Sequence, residues 1–97
     1  MKVAEMIIKQ LGGIGRLQAM IGAKDFVGGP DKVQFKWKAK AANKANCLVV
    51  KLTPADEYEV EFWKIRGFKM DKVSEHPAFA GTLKELFERE TGLYLSL

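Results

Sequence analysis

The sequence predicts an α+β fold, a four-stranded antiparallel meander flanked by an N-terminal and a C-terminal helix. Three observations predict it. Apolar side chains recur at helical spacing near both ends of the chain, they alternate with a period of two through its middle, and the connections between the alternating stretches are short. Short connections make neighbouring strands antiparallel, and both helices then need the sheet to cover their apolar faces. With 97 residues, 47% of them hydrophobic, the chain can bury one core but not two, so residues 1–97 are expected to form a single domain.

Val3, Ala4, Ile7, Ile8 and Leu11 fall on one helical face, with Lys2, Glu5 and Lys9 opposite, and Gly12 and Gly13 supply the stop. From Arg16 the period changes to two. Leu17, Ala19 and Ile21 alternate against Arg16, Gln18 and Met20, which predicts a half-buried strand. Gly22 to Asp31 reads as a turn-rich stretch, broken by Gly28, Gly29, Pro30 and Asp31. The next segment alternates strictly, with Val33, Phe35, Trp37 and Ala39 on one face and Lys32, Gln34, Lys36, Lys38 and Lys40 on the other.

Cys47 to Leu52 is expected to be a strand facing the core with Leu48, Val50 and Leu52. Thr53 to Asp56 forms a turn with Pro54 at its second position. From Glu57 the strand puts Tyr58, Val60 and Phe62 inward and Glu57, Glu59 and Glu61 outward, and then falters. Trp63 and Ile65 share parity with the glutamates, so either a bulge shifts the register or the far face is partly apolar. Gly67 ends this strand, and Phe68 to His76 has no clear period. A last helix follows Pro77, with a second start signal in the capping pair Thr82 and Glu85 and a stop at Thr91 and Gly92. Leu93 is placed to fold back on the last turn, and the tail Tyr94 to Leu97 is apolar enough to dock.

The net charge of +4 is unevenly spread. Lys32 to Lys51 carries six lysines and no acid, while Thr53 to Glu61 carries Asp56, Glu57, Glu59 and Glu61. Lys32, Lys36, Lys38 and Lys40 make a candidate surface for nucleic acid or another anionic partner, because evenly spaced ammonium groups displace counterions from a phosphate backbone. Their parity argues against it. Phe35 and Trp37 point away from the lysines, leaving Trp63 as the stacking platform a single-strand binder needs. A solvated face that discourages edge pairing is the simpler reading of the same lysines.

Residues for catalysis are sparse. His76 is the single histidine and Cys47 the single cysteine, far apart in the chain, so neither a nucleophile–base pair nor a tetrahedral zinc set is expected. Gly12, Gly13 and Gly15 follow a helix and precede a strand, the reverse of a phosphate-binding loop. Glu57, Glu59 and Glu61 are read as solubilising side chains that pair across strands with Lys51. No enzyme activity, cofactor or metal is expected. A single cysteine allows no intramolecular disulfide, which suits a reducing compartment, and no apolar run spans a membrane. Glu5 and Lys9 interrupt the N-terminal apolar stretch, so no signal peptide is expected. Trp63, Ile65, Cys47 and Val49 would form an apolar patch opposite the main core, to be covered by this chain, by a second copy or by a protein partner.

Four stretches, Gln10-Leu11-Gly12-Gly13, Gly22 to Phe26, Tyr58 to Gly67 and Thr91 to Leu97, resemble small uncharacterised proteins encoded in bacteriophage, prophage and mobile-element regions. The resemblance transfers no catalytic or binding residue. It implies a bacterial cytoplasm and an accessory role in which a small protein inhibits or redirects a host protein. The expected function is therefore non-catalytic binding of a protein, with Phe26, Trp63 and Ile65 as contacts. The alternative is a nucleic-acid-binding module using the lysine-rich strand.

Overall fold

The computed structural model describes residues 3–95 and contains three helices and one five-stranded antiparallel sheet. In chain order these are α1 (Val3–Gln10), α2 (Ile14–Ile21), β1 (Lys24–Gly28), β2 (Lys32–Lys36), β3 (Cys47–Leu52), β4 (Tyr58–Arg66), β5 (Lys69–Ala78) and α3 (Leu83–Thr91). The strands lie side by side in sequence order, so the sheet is a simple meander. Lys2, Ser96 and Leu97, named above for the first helix and the tail, lie outside the described residues.

One face of the sheet carries the core. Val33 and Phe35 of β2, Leu48 and Val50 of β3, and Tyr58, Val60 and Phe62 of β4 are buried against Ile7 and Leu11, Leu17 and Ile21, and Leu83, Leu86 and Phe87. All three helices pack on this face. Aromatic contacts link the layers, since the Trp37 ring stands edge-on to Phe87 at 5.2 Å and Phe87 lies 6.2 Å from Phe62. Leu93 packs against the core beyond Gly92, and Leu95 is fully buried. The Leu95 amide donates to Glu88 Oε2 at 2.8 Å, which fastens the tail to α3.

Several expectations are corrected. Arg16 to Ile21 is a helix, not a strand. Leu17 and Ile21 are buried while Ala19 is exposed, which is the i, i+4 spacing of a helix; over six residues the two periods share those apolar positions. Gly22, at φ 68°, closes α2 by donating to Gln18 O, and Ala23 donates to Leu17 O. Lys24 to Gly28, expected as turn, is an edge strand. Asp25 at φ 56° and a register shift between Lys24 and Val27 hide its alternation.

Phe68 to His76, expected to be irregular, belongs mostly to β5, which makes the strands five rather than four. Arg66 pairs with Lys69 across a two-residue turn, Gly67–Phe68, where Gly67 supplies a positive φ of 54°. The pairing then jumps from Trp63↔Lys72 to Phe62↔Ser74, leaving Val73 as an extra residue. This bulge erases the period of two from the sequence. Pro77 lies within β5 opposite Glu59 rather than at a helix start, a position open to proline because β5 is a sheet edge. α3 begins after Thr82, whose hydroxyl turns back to accept from the Phe79 amide at 3.0 Å instead of capping the helix.

Candidate functional site

The strand register gathers charges that are dispersed in the sequence. Lys24, Lys36, Cys47, Trp63 and Lys72 lie on one row across the sheet. Beyond that row β2 and β3 are joined by residues 37–46, which carry Lys38, Lys40 and Lys44, and β4 and β5 by the hairpin end bearing Lys64, Arg66 and Lys69. Nine cations therefore stand on or beyond this row with one acid, Asp71. The opposite end of the sheet holds Asp31, Asp56 and Glu57, and the strands leading to it carry Asp25, Glu59, Glu61 and Glu75, against Lys32 and Lys51. The molecule is a dipole along its strands, not between adjacent strands as the linear sequence suggests.

This arrangement divides the expected lysine surface. Lys32 and Lys36 do share the sheet face away from the helices. Lys38 and Lys40 do not, because β2 ends at Lys36 and the chain then leaves the sheet. Trp37 N–H donates to Asn46 O, and the amides of Lys38 and Ala39 both donate to Ile21 O, which ties this connection to the end of α2. Asn46 holds its other side, donating from Nδ2 to Ile65 O at 2.9 Å and accepting from the Ile65 amide at 2.8 Å. The lysines of the connection are thus displayed from a backbone fixed at both flanks.

At the hairpin tip Phe68 is fully exposed between the cations Arg66, Gly67's neighbour, and Lys69. Phe68 falls in the stretch expected to be irregular after Gly67 ends the strand, so the sequence pattern does not mark it. The signal is local: a glycine turn followed at once by an aromatic residue, with a cation on each side. Ile65 and Met70 are cross-strand partners just behind the tip, half-buried and exposed respectively.

Trp63 and Ile65 keep the register that makes them face away from the core, since β4 pairs with β3 without interruption and the bulge lies in β5. None of the three helices covers this face. Trp63 is nevertheless half-covered by polar neighbours. Its Nε1 donates to Glu61 Oε1 at 3.0 Å, and Lys72 Nζ lies 5.5 Å from the ring centroid. Lys72 also meets Glu61 Oε2 at 3.5 Å and Glu75 Oε2 at 2.9 Å. The Glu75 contact is the main cause that raises the Lys72 ammonium above its ordinary value, and Lys72 in turn holds the Glu75 carboxyl below its own. Lys51 stands opposite Glu59, but the ion pairs on this face are those of Lys72. Phe26, the third expected contact, turns the other way and stacks on Phe35 at 5.2 Å, half-buried against the core.

Cys47, between Lys36 and Trp63 in the row across the sheet, has no exposed surface. Burial pushes its thiol up to about 11, partly opposed by the Lys36 ammonium. The native protein is therefore expected to react with an aromatic disulfide reagent at pH 8 about a hundredfold more slowly than the denatured chain, because its thiolate is that much scarcer. Equal rates would contradict the burial. The sign for stability follows. An unfolded thiol ionises from 9.0 and the native one only near 11, so Cys47 takes stability away as pH rises across that interval and leaves it unchanged below.

His76 lies on the core side of β5, its ring 5.9 Å from Phe62, with Nε2 3.0 Å from Glu90 Oε1. The two atoms are in contact but off the line of a hydrogen bond. No group of three or more His, Cys, Asp or Glu side chains among the described residues could hold a metal ion. No helix among the described residues is long and apolar enough to cross a membrane. Comparison with protein-family models, with curated proteins and with solved structures gives no match.

Proposed function

We propose that this protein acts without catalysis, as a binding module for single-stranded nucleic acid, with the basic end of its sheet as the contact surface. The observation that carries the proposal is the convergence of nine cations and one fully exposed aromatic side chain, Phe68, at that end. Single strands are held by a cationic track for the phosphates together with aromatic rings on which bases stack. Parity within β2 separates Phe35 from the lysines and Trp37 is buried in the core, but the β4–β5 turn places Phe68 among them. Duplex DNA offers no unstacked base to such a side chain, which favours single strands or loops as the ligand.

Phe68 makes the sharpest test because its removal should not disturb folding. In Phe68→Ser the affinity for a labelled single-stranded oligonucleotide, read by fluorescence anisotropy, is expected to fall about 5- to 100-fold, the range of one base–aromatic stack. The thermal midpoint should not change, since a fully exposed ring contributes little to the core. Unchanged affinity would remove the stacking role.

A second reading is supported by a different surface. The sheet face carrying Val49, Trp63 and Ile65 is uncovered by any helix, and a protein partner docking there would give the protein the accessory, protein-binding role expected from its sequence. The Trp63 N–H already has its acceptor and its ring already has a cation over it, which leaves that face less in need of a partner than the basic end.

A further inference from the structure

A cavity of about 560 Å³ opens at the basic end, on the inner side of the segment joining β2 to β3. It is lined by Trp37, Asn46, four alanines of that segment and the lysines Lys38, Lys40, Lys44 and Lys64. No acidic side chain lines it, and none of the four lysines forms an ion pair among the described residues. Asp71 stands opposite Lys64 in the hairpin register without pairing to it. Two buried donors of the same segment also lack an acceptor. Trp37 is 3% exposed and its Nε1 has no acceptor, and Asn43 Nδ2 within the same segment is buried with none either. The Asn43 orientation is set by its Oδ1, which accepts from the Ala45 amide at 3.1 Å.

A wall carrying four unpaired ammonium groups and no carboxylate selects a ligand that brings acceptors and negative charge. We propose that this cavity binds a phosphate monoester carried on a nucleotide-sized organic body. A phosphate monoester brings close to two negative charges and three acceptor oxygens, which several ammonium groups can share, whereas a carboxylate brings one charge and two oxygens. The alanines of the segment offer an apolar wall for the body of the ligand, and the volume is that of an ordinary small-molecule site. This goes beyond the strand-binding proposal, because phosphodiesters along a strand need only the exposed cations, while a monoester entering the cavity is either a free nucleotide or the 5′ end of a strand.

Indole N–H resonances of isotopically labelled protein distinguish these cases, with the Trp37 signal assigned by its persistence in Trp63→Phe. Adenosine 5′-monophosphate is expected to move the Trp37 indole signal and the Ala45 backbone amide signal saturably, and adenosine is not. Lys38→Glu combined with Lys40→Glu, both exposed positions, should weaken that response by about tenfold or more without changing the thermal midpoint. If the mononucleotide has no effect but a 5′-phosphorylated oligonucleotide moves Trp37 and its 5′-hydroxyl counterpart does not, the site is a strand-end pocket and the proposal stands. If neither the mononucleotide nor the phosphorylated strand moves Trp37, the proposal is overturned. Oligonucleotide binding that persists in that event, read by anisotropy, would leave the strand-binding function intact.

Discussion

Arg66→Glu combined with Lys69→Glu is expected to lower the affinity for a single-stranded oligonucleotide by about 100-fold at 50 mM salt, with little change in stability. Each phosphate contact to a single strand contributes a dependence on salt of roughly the −0.7 power, which at 50 mM is worth roughly eightfold in affinity. Two lost contacts account for most of the effect, and two new repulsive charges add the remainder. Stability is preserved for a structural reason. Arg66 and Lys69 face each other as the last pair of the β4–β5 hairpin, both exposed, and neither forms an ion pair among the described residues. The double reversal replaces one like-charged cross-strand pair by another. An affinity within threefold or so of the parent would show that the hairpin is outside the interface.

Phe87→Ala is expected to be the most damaging single substitution for the fold, at about 3–5 kcal/mol. Phe87 is fully buried on α3, edge-on to Trp37 and near Phe62, so its ring joins the third helix both to β4 and to the segment that leaves β2. Domains of this size are commonly stable by only about 5–15 kcal/mol, and the thermal midpoint should fall by roughly 15–30 °C in calorimetry or circular dichroism. A loss below about 1 kcal/mol would mean that α3 does not pack on the sheet as described. The same variant separates two roles of residues 37–46, whose amide at Ala42 donates to Thr91 O at the end of α3. Loosening α3 should therefore also loosen the lysine-bearing connection.

The α+β character was legible because α1, β2, β3 and the first half of β4 keep one period and one buried face from end to end. The rest was obscured where two periods fit the same residues or where an extra residue broke the count. Leu17 and Ile21 satisfy both a strand and a helix, and only the exposure of Ala19 decides between them. Val73 shifts β5 by one position, so its alternation is invisible without the partner strand. β1 is short, bulged at Asp25 and supported by the stacking of Phe26 on Phe35, a contact between residues nine apart that no local pattern reveals.

The candidate site was less legible than the fold for a related reason. Lys32, Lys36, Lys38 and Lys40 look like one stripe in sequence, but the strand ends after Lys36, and the lysines beyond it join Lys64, Arg66 and Lys69 from a hairpin more than twenty residues away. Charge segregation along the strands depends on which ends meet in the meander, and that follows from topology rather than from any one segment. The apolar pair Trp63 and Ile65 posed the opposite difficulty. Their outward parity was plain, but the Glu61 and Lys72 contacts that cover Trp63 depend on the bulge that brings Lys72 into its row.

The most direct measurement is the affinity for a single-stranded oligonucleotide as a function of salt, compared between the parent and the Arg66→Glu, Lys69→Glu variant. The basic end engaging four or five phosphates predicts a log–log slope of about −3 for the parent and a slope smaller by roughly 1.4 for the variant. No binding at low salt, or binding whose slope the hairpin substitutions leave unchanged, would contradict it.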